Sequence, residues 1–105
     1  MFGDLLGNME ERQAEMKKKL ATIIVEASSG DGVVKVSASA ARQLTNIQFD
    51  PEFLKTADQE EIEDLILVAV NEVMELAAAK EAEEAQNMLK DMLPPGLGDM
   101  GGMFS

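Results

Sequence analysis

Residues 23–38 read Ile23-Ile24-Val25-Glu26-Ala27-Ser28-Ser29-Gly30-Asp31-Gly32-Val33-Val34-Lys35-Val36-Ser37-Ala38. Ile23, Val25 and Ala27 alternate with Ile24 and Glu26, and Val34, Val36 and Ala38 alternate with Lys35 and Ser37. A period of two puts every second side chain on the same face of a strand. Between the runs, Ser28-Ser29-Gly30-Asp31-Gly32 is rich in residues that tolerate positive φ. The spacing predicts a β-hairpin with one apolar face.

On the C-terminal side, a third run from Leu44 to Phe49 places Thr45, Ile47 and Phe49 on one face. Pro51 ends it, because proline lacks the amide hydrogen that a ladder needs. Three short strands in series predict an antiparallel meander with one face to cover. The cover follows directly. Thr56 or Asp58 can cap a helix, with Gln59 or Glu61 three residues on as its capping-box partner. Ile62, Leu65, Ile66, Ala69, Val70, Val73, Leu76 and Ala77 then recur mostly at three and four, a wide apolar face suited to a sheet. The pattern thins through Ala82, Ala85, Leu89 and Met92 until Pro94-Pro95 stops it. At 1.5 Å per residue such a helix is roughly 50 Å long, whereas strands of ordinary length reach about 17–20 Å. Its second half must project beyond the sheet, where it either finds another helix or remains weakly ordered.

The N-terminal segment offers one. Leu5, Met9, Met16 and Leu20 follow at spacings of four, seven and four, a thin heptad-like stripe. Asp4 suits the start of that helix, and Lys17, Lys18 and Lys19 in its last turn complement the helix dipole. Pairing this stripe with the overhang, within a chain or between chains, satisfies both. The expected fold is α+β: a helix, a three-stranded antiparallel meander and a long C-terminal helix. Residues 1–93 form one domain with projecting helical arms. Residues 94–105, with four glycines and no periodicity, read as a flexible tail.

A chain of 105 residues ordinarily makes a single domain, and one this small gains by burying surface against a partner. Without cysteine it has neither a disulfide framework nor a thiolate site. No apolar run approaches the ~18 residues of a membrane span, and no basic-then-apolar secretory start is present, so no membrane partner and a cytoplasmic location are expected. The net charge of −11 is unevenly spread. Residues 1–20 carry four charges of each sign, and residues 21–49 carry two of each. Residues 50–91 carry thirteen acidic and three basic side chains. A field of that sign repels polyanions and suits basic partners or plain solubility.

Histidine is absent, which removes the usual general base and the commonest metal ligand. Glu60 with Asp64, and Glu81 with Glu84, share helix faces, but nothing near them suggests an apolar pocket to raise a pKa. They read as solvated charge, and no catalytic, cofactor or metal site is expected. Gly30-Asp31-Gly32 leads into a strand rather than a helix N-terminus, so it reads as a turn and not a phosphate cradle. Lys17-Lys18-Lys19, with Arg12 one to two turns earlier, is the basic cluster of the chain. It reads either as helix-end electrostatics with a Glu15–Lys19 pair, or as contacts to a phosphate backbone, which need such charges at no particular spacing.

The order of features adds a further clue. Met1-Phe2-Gly3 opens into a helix, followed by Gly30-Asp31-Gly32-Val33-Val34-Lys35-Val36, Ile47-Gln48-Phe49-Asp50-Pro51, Glu63-Asp64-Leu65-Ile66 and Leu93-Pro94-Pro95-Gly96. As an ordered set spanning nearly the whole chain, these resemble the YbaB/EbfC family of small bacterial nucleoid-associated proteins. The resemblance implies a homodimer with sheets joined at the centre and helices projecting as tweezer-like arms. It also implies binding to duplex DNA with little sequence preference, in the nucleoid. On this chain the residues matching that role are Arg12, Lys17, Lys18 and Lys19. The competing expectation, drawn from the acidic second half, is an interaction module of the same fold that binds a basic protein instead of DNA.

Overall fold

The computed structural model describes residues 2–92, and the side chains of residues 7–91. The tail after Pro94, and the side chains of Leu5 and Met92 in the two helical stripes, lie outside the described residues. The elements in chain order are α1 (Phe2–Thr22), β1 (Ile24–Ser29), β2 (Val34–Ser39), β3 (Leu44–Phe49), α2 (Pro51–Thr56) and α3 (Gln59–Met92). The strands pair antiparallel in the order β1-β2-β3, the expected meander.

The hairpin turn runs through three consecutive residues with positive φ: Gly30 at +61°, Asp31 at +59° and Gly32 at +93°. Glycine adopts this region without steric cost, and aspartate is among the few other residues found there. The turn closes with Gly32 and Val33 amides donating to the Ser29 and Gly30 carbonyls. It sets Ala27 opposite Val36 and Ser29 opposite Val34, so the apolar sides of both strands coincide.

One strand differs from the alternation read in the sequence. Ser37 pairs with Asn46, but Ala38 pairs with Leu44, which leaves Thr45 as the extra residue of a bulge. Residues directly opposite share a face. Leu44, not Thr45, therefore joins Ile47 and Phe49 on the side of Ala38, Val36 and Val34.

A second difference is α2. Pro51 not only ends β3 but opens a short helix, at the first helical position where its missing amide costs nothing. The Asp50 carboxylate accepts from the Glu52 amide at 3.1 Å and caps it. Of the two possible caps for α3, the structure uses Asp58, whose carboxylate accepts from the Glu61 amide at 2.8 Å.

α3 lies across β1 and β2. Ala69 and Val73 bury against Ala27, Val34, Val36 and Ala38, with Leu65, Ile66, Val70 and Met74 packed around them. The Ser29 hydroxyl donates to the Leu65 carbonyl at 2.6 Å, tying the end of β1 to the helix. β3 is covered only toward its end, where Phe49 packs against this core. Leu44 and Ile47 keep 45% and 42% of their surface exposed although they share the inner face of the sheet. The 34 residues of α3 make a rod about 51 Å long, and the molecule measures 63 × 35 × 17 Å. The overhang expected from the sequence is present, and α1 of the same chain lies beside it.

Candidate nucleic-acid interface

The projecting arm is built from α1 and the distal part of α3. Leu20 is buried where α1 enters the sheet, Met16 is half-buried one turn earlier, and Met9 is 53% exposed farther out. The stripe thus grips near the sheet and opens toward the tip. Between the helices runs a groove of about 250 Å³ lined by Arg12, Glu15, Met16, Lys19, Glu84, Met88 and Asp91.

The four basic residues singled out in the sequence all sit on this arm, but they do not form one patch. Arg12 and Lys19 are seven residues apart, two helical turns, and both line the groove. Lys17 and Lys18 are exposed and make no ion pair among the described residues. Lys19 does make one. Its ammonium lies 2.8 Å from a Glu84 carboxylate oxygen, replacing the Glu15 partner that i,i+4 spacing suggested.

The pair alters both groups. The hydrogen bond to Glu84, then the charge of Glu84 and of Asp91, hold the Lys19 pKa above its ordinary value. The same hydrogen bond, with the charges of Lys19 and Lys80, holds the Glu84 carboxyl below its own. The Glu84 side chain is only 11% exposed, while that of Lys19 is 63% exposed. The carboxylate is seated in the groove and the lysine reaches in from solvent.

A second bridge braces the root of the arm. The Arg42 guanidinium donates to Glu81 at 2.8 Å, from a turn in which Arg42 itself has φ +65°. Glu81 and Glu84 are therefore fasteners between elements and not the free solvated charge read from their spacing. Their partners lie far away along the chain, so no local pattern reveals them. A usable signal does exist in the helix period. Continuing the core face from Val73 and Ala77 in steps of three and four leads to Lys80, Glu84 and Met88. The apolar residues Ala82 and Leu89 point elsewhere, and Leu89 is 60% exposed.

Residues 2–92 match the model of the YbaB/EbfC DNA-binding family. The chain belongs to that family. Among curated relatives it is similar to a nucleoid-associated protein of Moorella thermoacetica, 37% identical over 79% of this chain and 80% of that one. It is likewise similar to nucleoid-associated proteins of Neisseria meningitidis serogroup C, 33% identical over 93% and 92% of the two chains, and Dictyoglomus thermophilum, 31% identical over 88% and 89%. The crystal structure of an uncharacterized protein from Helicobacter pylori superposes with a TM-score of 0.71 at 27% identity, covering 84% of this chain and 92% of that one. The YbaB/EbfC match and the helix–meander–helix architecture thus agree with the order of elements read from periodicity.

Proposed function

We propose that this YbaB/EbfC protein is a dimeric nucleoid-associated protein that binds duplex DNA through the outer side of α1, with little sequence preference. The observation that carries this reading is the exposure of Lys17 and Lys18, free of ion pairs among the described residues, on a projecting arm in a chain of a DNA-binding family. Lysines are point charges that attract phosphate without reading base edges. Arg12 and Lys19 lie along the groove beside them, with Lys19 paired to Glu84. Such a role places the protein in the cytoplasm with the chromosome, and it calls for no catalysis.

A second reading is supported by α3, where Gln59–Met92 holds ten carboxylates against two lysines. On that reading the protein is an acidic interaction module that takes a basic protein and not DNA. One titration separates the two. Anisotropy of a labelled duplex, followed from ~20 mM salt upward, should show binding that weakens steeply, each neutralised phosphate adding about −0.9 to the log–log slope. Replacing Lys17 and Lys18 with glutamine should flatten it. No binding at ~20 mM, where the screening length exceeds ~20 Å, together with saturable uptake of a basic protein, would favour the second reading.

A further inference from the structure

We infer that Glu84 occupies Lys19 in place of a phosphate, so that the grip of the arm on a nucleic-acid backbone is set by competition inside each chain. This rests on the DNA-binding reading above and adds to it a residue that lowers affinity.

The geometry is that of the contact it displaces. A carboxylate oxygen sits 2.8 Å from the Lys19 ammonium, within the range of charge-assisted bonds that lysine makes to carboxylate and phosphate alike. The two acceptors therefore compete for the same donor. Lys19 remains exposed enough to be approached by a duplex, but its charge is already met. The seating of Glu84 strengthens the competition. The Glu84 side chain, only 11% exposed in a groove lined also by Met16 and Met88, loses its hydrogen-bond partner when Lys19 leaves. A half-buried charge left without its partner is unfavourable. Phosphate that draws Lys19 away therefore leaves Glu84 stranded, and this opposes binding beyond simple charge neutralisation. Lys80, whose charge also acts on Glu84, is engaged with Glu83 at 3.2 Å.

The charged side chains of the groove lining are mostly acidic. Glu84 and Asp91 come from α3 and Glu15 from α1, with Arg12 the single further cation of the lining. Lys17 and Lys18 have no such neighbours in an ion pair. The basic cluster is thus divided into two open lysines and one that is masked, and the arm holds DNA more weakly than its count of cations suggests.

The test is a double-mutant cycle in the salt titration. Glu84→Gln keeps the shape of the side chain and an oxygen that accepts from Lys19, but removes the charge. It should tighten duplex binding and steepen the log–log salt slope by about 0.9 for each arm that gains a phosphate contact. Adding Lys19→Gln should return the slope to the wild-type value. Glu75→Gln is the charge-matched control, since Glu75 is exposed and in no ion pair among the described residues. It lies nine residues, about 13 Å, along the helix from Glu84. It should leave the slope unchanged. Circular dichroism checks that helix content is retained. If Glu84→Gln loses helix, Asp91→Asn, whose charge also acts on Lys19, should give a smaller steepening of the same sign. Equal slopes for Glu84→Gln and Glu75→Gln, with wild-type binding intact, overturn the competition and leave the DNA reading standing. Binding absent from wild type and every variant at ~20 mM salt overturns both.

Discussion

At the scale of single residues, Gly30 and Gly32 separate two demands that a turn makes. Both have positive φ, so any L-residue there is strained by about 1–2 kcal/mol. They differ in their surroundings. A Cβ on Gly30 would lie 2.7 Å from a Val33 methyl and 2.9 Å from a Leu65 methyl, whereas one on Gly32 would meet nothing within 4 Å. Gly32→Ala should therefore cost the strain alone. Gly30→Ala should cost a further ~1–3 kcal/mol, the usual penalty of overpacking, because stiff Val33 and the helix residue Leu65 both have to move. Urea melts of the two variants check this, and equal midpoints would show that Leu65 does not close over the turn. Ser39 makes the opposite case. It is 2% exposed, and its hydroxyl has no hydrogen-bond partner among the described residues. Since an unmade bond in the interior costs about 1–3 kcal/mol, Ser39→Ala should be neutral or stabilising in the same melts. A clear loss would reveal a bond to that hydroxyl. Ser29, by contrast, donates to Leu65, and its alanine variant should be destabilised.

At the scale of elements, the sequence was most legible where a period ran unbroken. Val25, Ala27, Val34, Val36 and Ala38 alternated cleanly, and their strands and turn appear where expected. The apolar run from Ile62 to Ala77 likewise became the cover of the sheet. What stayed hidden depended on spatial neighbours. The bulge at Thr45 follows from how β3 meets β2, and its six residues alone read equally well as straight. In the arm the packing face passes through Glu84, a residue type usual at the surface, whereas the apolar Leu89 stands exposed. Of the candidate site, the basic residues of the arm are visible in the sequence, whereas the carboxylate that pairs with Lys19 is not. The Lys19–Glu84 pair also fixes how the arm answers pH. Glu84 titrates below its ordinary 4.5 in the folded chain, so its contribution is present above that value and is lost as pH falls through the lowered one. Lys19 titrates above its ordinary 10.5, so its contribution is present below that value and is lost as pH rises through the raised one. The pairing of α1 with α3 should hold unchanged between these limits. Methyl resonances of Met16 and Met88, which line the groove, should stay constant from pH 5 to 10 and shift together below 4.5. Glu84→Gln should abolish that joint shift. A midpoint above 4.5 would contradict the pairing.

At the scale of the whole molecule, the balance of buried and exposed apolar groups points outward from the single chain. The largest fully buried side chains are Val34, Val36 and Val73, and most of the remaining core is alanine. Leu44, Ile47, Leu54, Leu67 and Val68 meanwhile each expose more than two-fifths of their surface. The radius of gyration is 19.4 Å, against about 13 Å for a compact domain of this length. A chain so extended, with several bulky side chains exposed and a core largely of alanine and valine, would gain from burying more surface against a second copy. The surface proposed for that copy is β3. It is an edge strand with unpaired backbone groups, and Leu44 and Ile47 lie uncovered on the inner face that α3 leaves bare. Light scattering at micromolar concentration should therefore give about twice the chain mass of 11.4 kDa. Ile47→Lys puts a charge on a side chain that is already 42% exposed in the single chain, so the protomer itself should tolerate it. In a joined pair the same lysine would be desolvated without a partner, which is costly. The variant should run as one chain while keeping its helices. It should also bind duplex DNA with about half the salt slope, since the lysines of a second arm no longer share the same duplex. A variant that stays dimeric would move the interface away from β3. A wild-type protein with the mass of one chain would show that these exposed side chains serve something other than self-association.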